Sequence, residues 1–381
     1  MPPDPWHIPE RDALRGLTRS FTEREIVPFL AEWEKVGEVP RSLHIAAAEA
    51  GLLGLGFPEA VGGSGGDQID VAVMTEAMIG SGASTGLIAA LFTHGIAVPH
   101  IVSNGDPHLI DRYVRPTLAG EMVGALAVTE PDGGSDVAAV RTRAERHGDS
   151  YRVNGAKTFI TSGARADFVT TVVRTGGAGH AGLSLLVVDT DRPGFQVVRR
   201  LEKMGWRCSD TAELGYVDVS VPAGNRIGEP GSGFVQVARQ FVGERLALAT
   251  QAHATAQRCV DLTVGWARER QVFGGALIRK QAVRHRLVDM ARRTAAAATY
   301  TRWVLERHVE GAASFVEAAM AKNTAVEACD FVVASAVQLH GGAGYMADME
   351  VERHYRDAKI LGIGGGATEV MNDLIAKGLG W

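Results

Sequence analysis

Apolar residues recur at helical spacing over Asp12–Phe29 and Ser42–Ala50, and Pro28, Pro40 and Gly51 interrupt the pattern. The cluster Gly62-Gly63-Ser64-Gly65-Gly66 marks a loop, after which helical patterning resumes from Ile69 and again from Thr85. From about Gly124 the texture changes to short β-rich runs separated by turn signals. Tyr151–Thr161 predicts a hairpin around Asn154-Gly155. Phe168–Val173, Leu183–Val188 and Glu213–Val221 predict further strands, and strands without intervening helices predict a small antiparallel barrel or sandwich. Beyond Pro222 and the Gly-rich stretch Gly228–Gly233, helical patterning returns over 233–269, 276–309 and 313–339. Gly and Pro are scarce inside these segments, whose lengths suit a helix bundle. The expected chain is mainly α with a central β domain. Its divisions are a helical domain over 1–122, a β domain over 123–228 and a helical bundle over 229–381.

Composition narrows the possibilities. At 381 residues the chain is too long for one ordinary core. Hydrophobic residues make up 46% and charged residues 22%, as in soluble globular proteins. The formal charge is −5 and Lys and Arg form no basic block, so no nucleic-acid partner is expected. Cys208, Cys259 and Cys329 are far apart and form no C-x-x-C, which suits a reducing compartment and argues against a zinc site or a disulfide framework. The start, Met-Pro-Pro-Asp-Pro-Trp, has neither a basic n-region nor an apolar h-region. No uninterrupted apolar run is long enough for a bilayer, so a cytoplasmic protein without a membrane partner is expected.

Five segments carry candidate chemistry. Val128-Thr-Glu-Pro-Asp-Gly-Gly-Ser135-Asp136 is a turn that leaves backbone N–H groups free for an acceptor. In Lys157-Thr-Phe159-Ile160-Thr161 an aromatic beside a hydroxyl is suited to stacking on a flat ring. Arg268-Glu-Arg270-Gln-Val-Phe273-Gly274, with Gln281 beyond it, pairs cations with an aromatic in a manner suited to a phosphate. Gln338-Leu-His-Gly341-Gly342-Ala-Gly344-Tyr345 permits close backbone approach to a ligand. Arg356-Asp-Ala-Lys-Ile360 runs on to Gly364-Gly365-Gly366-Ala367-Thr368-Glu369, a glycine triplet entering a helix whose N–H groups suit an anion or a polarised carbonyl. Each also has a plain structural reading, respectively a surface turn, core packing, a solvated helix end, a C-cap and a linker.

In order and spacing, these segments resemble the acyl-CoA dehydrogenase family over essentially the whole chain. The carrying motifs are Val-Thr-Glu-Pro-x-x-Gly-Ser-Asp, Asn-Gly-x-Lys-x-x-Ile-Thr, Arg-x-x-Phe-Gly, Gln-x-x-Gly-Gly-x-Gly-Tyr and Arg-Asp-Ala-Lys-Ile. The resemblance implies an α-helical N-terminal domain, a β-barrel middle domain and a C-terminal four-helix bundle. It implies FAD, an acyl-CoA substrate, an electron-transfer flavoprotein as electron acceptor, and a homotetramer arranged as a dimer of dimers. By the same resemblance Val128, Thr129 and Ser135 contact the flavin or the thioester end of the substrate, and Phe159 lies against the isoalloxazine ring with Ile160 and Thr161 along its edge. Arg270, Phe273, Gln281, Gln338, Gly341 and Gly342 reach the FAD of a neighbouring subunit, and Thr368 and Glu369 finish the cofactor site. Ala367 stands where many members carry Thr, which implies a modest loss of cofactor affinity. An oxidase, a dehydrogenase of acyl-carrier-protein thioesters and a non-catalytic subunit of a heteromer share the fold and stay open.

The reaction needs a carboxylate near C2 of the acyl chain. Many family members carry it where this chain has Gly365, while others carry it on the first bundle helix just before an Arg. Here that position is Glu244, followed by Arg245. Val237, Phe241, Glu244 and Leu248 follow i, i+4, i+7, i+11 spacing, which places Glu244 on an apolar stripe. Burial there raises a carboxylate's pKa toward the working range of a base. A salt-bridged helix residue is the competing reading. The expected base is Glu244, with Arg245 orienting substrate and a Gly365 N–H at the thioester carbonyl. Gly364 and Gly365 also predict a roomier acyl pocket.

Overall fold

The computed structural model describes residues 5–381; the reading of the N-terminal start falls partly on residues 1–4, outside the described residues. Helix α1 (Pro9–Phe21) runs into a wider turn over Thr22–Ile26 and breaks at Pro28, so the first periodic stretch is not one helix. Helix α2 (Gln68–Gly80) starts on a reciprocal cap in which Asp67 accepts from the N–H groups of Ile69 and Asp70 and Asp70 accepts from the N–H of Asp67. Arg11 of α1 bonds both carboxylates, which pins α1 to that helix start. Helix α3 (Thr85–Leu91) follows, capped by Ser84.

The central region is one eight-stranded sheet. Its strands are β1 (Gly124–Ala127), β2 (Arg143–His147), β3 (Ser150–Thr161), β4 (Phe168–Arg174), β5 (Leu183–Asp189), β6 (Phe195–Arg200), β7 (Thr211–Pro222) and β8 (Arg226–Ile227). The order is β6-β7-β3-β2-β4-β5-β8, with β1 added on β4. Most pairs are antiparallel, but β1 and β2 each run parallel to β4. The expected hairpin at Asn154-Gly155 is not there. β3 runs straight through it with a bulge between Val153 and Gly155, and the turn falls earlier, where His147 faces Ser150 across Gly148. Gly155 serves close approach instead: a Cβ there would stand 2.5 Å from Thr142 Oγ1.

The last third is built from α4 (Gly233–Glu269), α5 (Gln281–Val309) and α6 (Phe315–His340), followed by α7 (Glu350–Ala358) and α8 (Thr368–Leu379). The second long segment starts later than 276 because Gly275–Ala276 pairs with Gln271–Val272 in a small hairpin. The third starts at Phe315 because Ser314 and Glu317 form a reciprocal cap. α4 lies against both α5 and α6, and α8 packs on α6. Helix α4 contributes to four separate hydrophobic clusters through Val237, Leu246, Leu248 and Ala254, which makes it the element shared by all three regions of the chain.

Among the described residues no single helix is long and apolar enough to cross a membrane. The bent pair Thr85–Leu91 and His94–Asn104 meets length and composition together.

Candidate active site

The expected site residues fall into three patches. The first lies at the edge of the sheet. Lys157 on β3 is fully buried and donates to the Val128 carbonyl and to the Glu130 carboxylate, each at 2.9 Å. Glu130 also accepts from the N–H groups of Arg141 at 2.7 Å and Thr142 at 2.8 Å. The Thr158 N–H donates to the Thr129 carbonyl at 2.9 Å. The loop carrying Val128, Thr129 and Ser135 is thereby fastened to β3, leaving Ser135 exposed and Val128 and Thr129 half-buried. Burial pushes the Lys157 ammonium down to about 8 against the pull of Glu130. For Glu130, burial acts upward, but the Lys157 charge and the bonds from Thr142 and Arg141 outweigh it and hold the carboxyl below its usual range.

Phe159 is 68% exposed with φ of 60°, at a register shift between Lys157 and Ile160 that turns it out of the sheet. A non-Gly residue held in that region costs on the order of 1 kcal/mol, which the surrounding strand pairing sustains. The Ile160 side chain is 2% exposed and belongs to the sheet's core, so it does not lie along an exposed edge; Thr161 is half-buried.

The second patch sits at the ends of the bundle helices. Arg270 closes α4, with its guanidinium 5.9 Å from the Trp266 ring centre, and Trp266 stacks on His340 at the end of α6 with centroids 5.0 Å apart. Phe273, at φ of 46°, is 97% exposed on the Gln271–Ala276 hairpin. Gln281 and Gln338 are exposed at the ends of α5 and α6. No protein atom lies within 4 Å of where a Cβ would stand at Gly341 or Gly342. Arg270 follows Glu244 by 26 residues on one continuous helix, about 39 Å at a rise of ~1.5 Å per residue.

The third patch joins the middle of α4 to the segment before α8. Gly365 has φ of 62° and Gly366 φ of 100°. A Cβ at Gly365 would stand 3.4 Å from Glu244 Oε1 and 2.6 Å from Leu248 Cδ1. The carboxylate of Glu244 therefore lies against the spot from which a residue-365 side chain would start. The same distances correct the expectation of a roomier pocket at this point, because Leu248 and Glu244 already fill the space that Gly365 leaves. Gly364 likewise has Ile360 in ordinary contact, at 3.5 Å and 4.0 Å.

Glu244 makes no hydrogen bond or ion pair among the described residues. It is packed deep in the molecule yet keeps some open surface, because it lines a cavity with Gly95, Ile96, His100, Leu126, Gln240 and Phe241. Burial raises its pKa, while the charges of Arg245 and Lys322 act downward without cancelling the rise. The Arg245 guanidinium lies 5.6 Å from the Phe241 ring centre, and its Nε is 3.4 Å from the Gly365 carbonyl. Lys322 on α6 is fully buried and donates to the carbonyls of Gly364, at 2.6 Å, and Gly366. Thr368 Oγ1 bonds the Gly362 carbonyl at 3.3 Å, and Glu369 is exposed on the first turn of α8.

Lys322 escaped the sequence reading, although its signal matches that of Glu244: a charge among Ala318, Ala319, Ala321 and Ala325 on a buried helix face. The segment Arg356–Ile360 does different work from a ligand loop. Asp357, fully buried, accepts from the Trp206 N–H at 2.6 Å, and Arg356 bonds Glu352 at 2.6 Å and Glu34 at 3.2 Å. It ties the three regions together.

Three family profiles cover this chain. They are described as the acyl-CoA dehydrogenase N-terminal domain over residues 8–121, the middle domain over 125–219 and the C-terminal domain over 231–380. The rat mitochondrial long-chain specific acyl-CoA dehydrogenase is 36% identical over 97% of this chain and 86% of its own length. A probable acyl-CoA dehydrogenase from Mycobacterium abscessus is 63% identical, with a TM-score of 0.97 over 98% of this chain and 100% of that one. Butyryl-CoA dehydrogenase from Megasphaera elsdenii is 30% identical, with a TM-score of 0.93 over 98% of this chain and 99% of that one.

Proposed function

The chain belongs to the acyl-CoA dehydrogenase family, and from that premise we propose that it is an FAD-dependent enzyme that desaturates the C2–C3 bond of an acyl-CoA, with Glu244 as the base. One observation carries the assignment of the base: the unpaired Glu244 carboxylate stands 3.4 Å from the Cβ position of Gly365. A carboxylate from α4 thus supplies the same small volume that a carboxylate at residue 365 would.

The residues fit FAD. Phe159 is held outward on strained backbone, the 128–135 turn is fastened beside it, and Gly341 and Gly342 open onto space that a Cβ would otherwise enter. Bound FAD would supply the hydride acceptor for C3. Glu244 takes the C2 proton, and its raised pKa places it nearer the operating range of a general base. The Gly365 N–H is a backbone donor for the thioester oxygen, independent of any side chain there. Phe159 supplies a flat face for the ring system, Thr129 and Ser135 supply hydroxyls beside it with Val128 adding an apolar side chain, and Leu248 and Phe241 keep water from the carboxylate.

Arg270 sits about 39 Å along the bundle from Glu244, with Phe273 on the hairpin that follows it. That separation supports a site completed by a second copy of the chain, as in a homotetramer, with a neighbour's arginine and glutamine at the FAD phosphates. An electron-transfer flavoprotein is the acceptor this reading implies. Cys208, Cys259 and Cys329, all free and buried, suit a reducing, cytoplasmic setting.

The test is anaerobic titration of the purified flavoprotein with a panel of acyl-CoAs, following loss of the flavin absorbance. Wild type is expected to bleach with at least one acyl-CoA and Glu244→Gln to bleach about 10²–10⁴-fold more slowly. Equal rates would refute the base, and a protein unable to take up FAD would refute the enzyme. Hydrogen peroxide release in air would redirect the reading to an oxidase.

A further inference from the structure

Three successive carbonyls precede α8, those of Gly364, Gly365 and Gly366, and two cations approach them. Lys322 donates to Gly364, at 2.6 Å, and to Gly366, while Arg245 Nε stands 3.4 Å from Gly365. The positive φ values of Gly365 and Gly366 let the chain turn its carbonyls inward in succession. With the carbonyls engaged on one side, the amide groups of this turn are oriented by the same bonds, and no acceptor in the described residues takes the Gly365 N–H. Asn323, next to Lys322, extends the grip by bonding the Thr368 carbonyl at 3.1 Å.

The ammonium has no carboxylate in bonding contact. Its partners are two neutral carbonyls, and Glu244 reaches it only through space. A buried lysine spent purely on structure is expected to have a carboxylate partner, as Lys157 has in Glu130. The charged groups around Lys322 are few. From α4 there are Glu244 and Arg245; from α5, His308 approaches the spot where a Gly243 Cβ would stand, at 3.9 Å, and burial lowers its pKa; from α8, Glu369 is exposed; on α6 itself the neighbour Asn323 is neutral.

We propose that Lys322 is a positioning residue for the reaction, fixing the Gly365 amide through the two carbonyls and setting a positive charge near the Glu244 carboxylate. The proposal rests on the reading of Glu244 as the base. Two signs follow. The Lys322 charge lowers the Glu244 pKa, so removing it moves the acid limb of the rate profile to higher pH. Lys322 itself is pushed down to about 8, first by burial and then by Arg245, with Glu244 acting upward, so its charge is lost as pH rises through that value and the rate falls with it.

The experiment measures the anaerobic rate of flavin reduction against pH in the wild-type holoenzyme and in Lys322→Arg, Lys322→Gln and Lys322→Met. Lys322→Met is expected to slow reduction at the optimum about 10²-fold, the scale of a ~1 Å misplacement, and to shift the acid limb upward. Lys322→Gln, which keeps N–H donors without charge, is expected to show the same acid-limb shift with a smaller loss of rate, and it covers the case in which the Met variant fails to hold flavin. Lys322→Arg is expected to leave the acid limb in place and carry the alkaline limb beyond pH 9. Acid limbs unmoved in the flavin-loaded Gln or Met variant would overturn the proposal and leave Lys322 a packing residue. An acid limb that Glu244→Asp fails to displace would overturn the base assignment itself, and the role of Lys322 with it.

Discussion

Two buried lysines hold two loops in this molecule, and their surroundings differ in one respect. Lys157 fastens the 128–135 turn and has Glu130 in direct contact at 2.9 Å; Lys322 fastens the 364–366 turn and has only carbonyls in contact, with Glu244 left unpaired nearby. Burial pushes both ammonium groups down to about 8. The carboxylates move in opposite directions: Glu130, with its bonds complete, is held low, and Glu244, with none, is raised. The difference teaches that a buried acid near a lysine is structural when its oxygens are all engaged and available for proton transfer when they are not.

The largest test of this contrast exchanges the two acids for amides. Glu244→Gln should abolish most flavin reduction, by about 10²–10⁴-fold, with thermal stability close to wild type. Glu130→Gln should do the reverse, losing about 3–5 kcal/mol of stability because Lys157 is left without its counter-charge. Chemical denaturation and anaerobic reduction measured on both variants decide the matter, and similar losses of rate and stability in both would break the distinction.

A second test moves the base. Gly365→Glu combined with Glu244→Gly should recover little activity, because the new Cβ would meet Leu248 Cδ1 at 2.6 Å and stand on backbone with φ of 62°. The left-handed conformation alone costs roughly 1–2 kcal/mol. Adding Leu248→Ala should raise the reduction rate above that of the double variant. If the double variant is fully active without it, the two positions are more interchangeable than these contacts allow.

A smaller effect separates the acids in pH. The Glu130 pKa is lower folded than unfolded, so its contribution is complete above the unfolded value of about 4.3 and disappears as pH falls through the folded value. Glu130→Gln should therefore lose stability less steeply than wild type on acidification, as followed by denaturant midpoints between about pH 5 and 3. The smallest effect concerns His100, which lines the cavity with Glu244. Among the described residues its two ring nitrogens have no hydrogen-bond partner, and burial pushes its imidazole down to about 4. His100→Phe should be neutral or stabilising by about 1 kcal/mol, since an unpaired buried polar group is costly; a marked loss in the thermal midpoint would show that the imidazole has a partner.

How much of this was readable in the sequence depended on the range of the cause. The three long bundle helices follow from local periodicity, and they appear within a few residues of expectation wherever a cap such as Ser314 or a hairpin such as Gln271–Ala276 sets the start. The stripe Val237, Phe241, Glu244, Leu248 turns a carboxylate inward by helix geometry alone, so the position of Glu244 was legible. Asn154-Gly155 misled because the dipeptide that favours a tight turn also suits a bulge, and only the approach of Thr142, just before β2, decides between them. Lys322 was illegible for a related reason: its partners lie more than forty residues away, at carbonyls that carry no side-chain signal. The outward Phe159 and Phe273 depend on left-handed backbone that their residue type disfavours, so propensity points away from them.

Helix α4 deserves a last consequence. It carries Glu244, and it shares in four of the hydrophobic clusters that hold the chain together. A substitution that loosens this helix therefore lowers the cellular abundance of the protein before it alters turnover, because one or two kcal/mol is already a large part of a domain's stability. Inherited or engineered changes along α4 will present as missing protein, and their kinetic effect will be visible only in the molecules that survive.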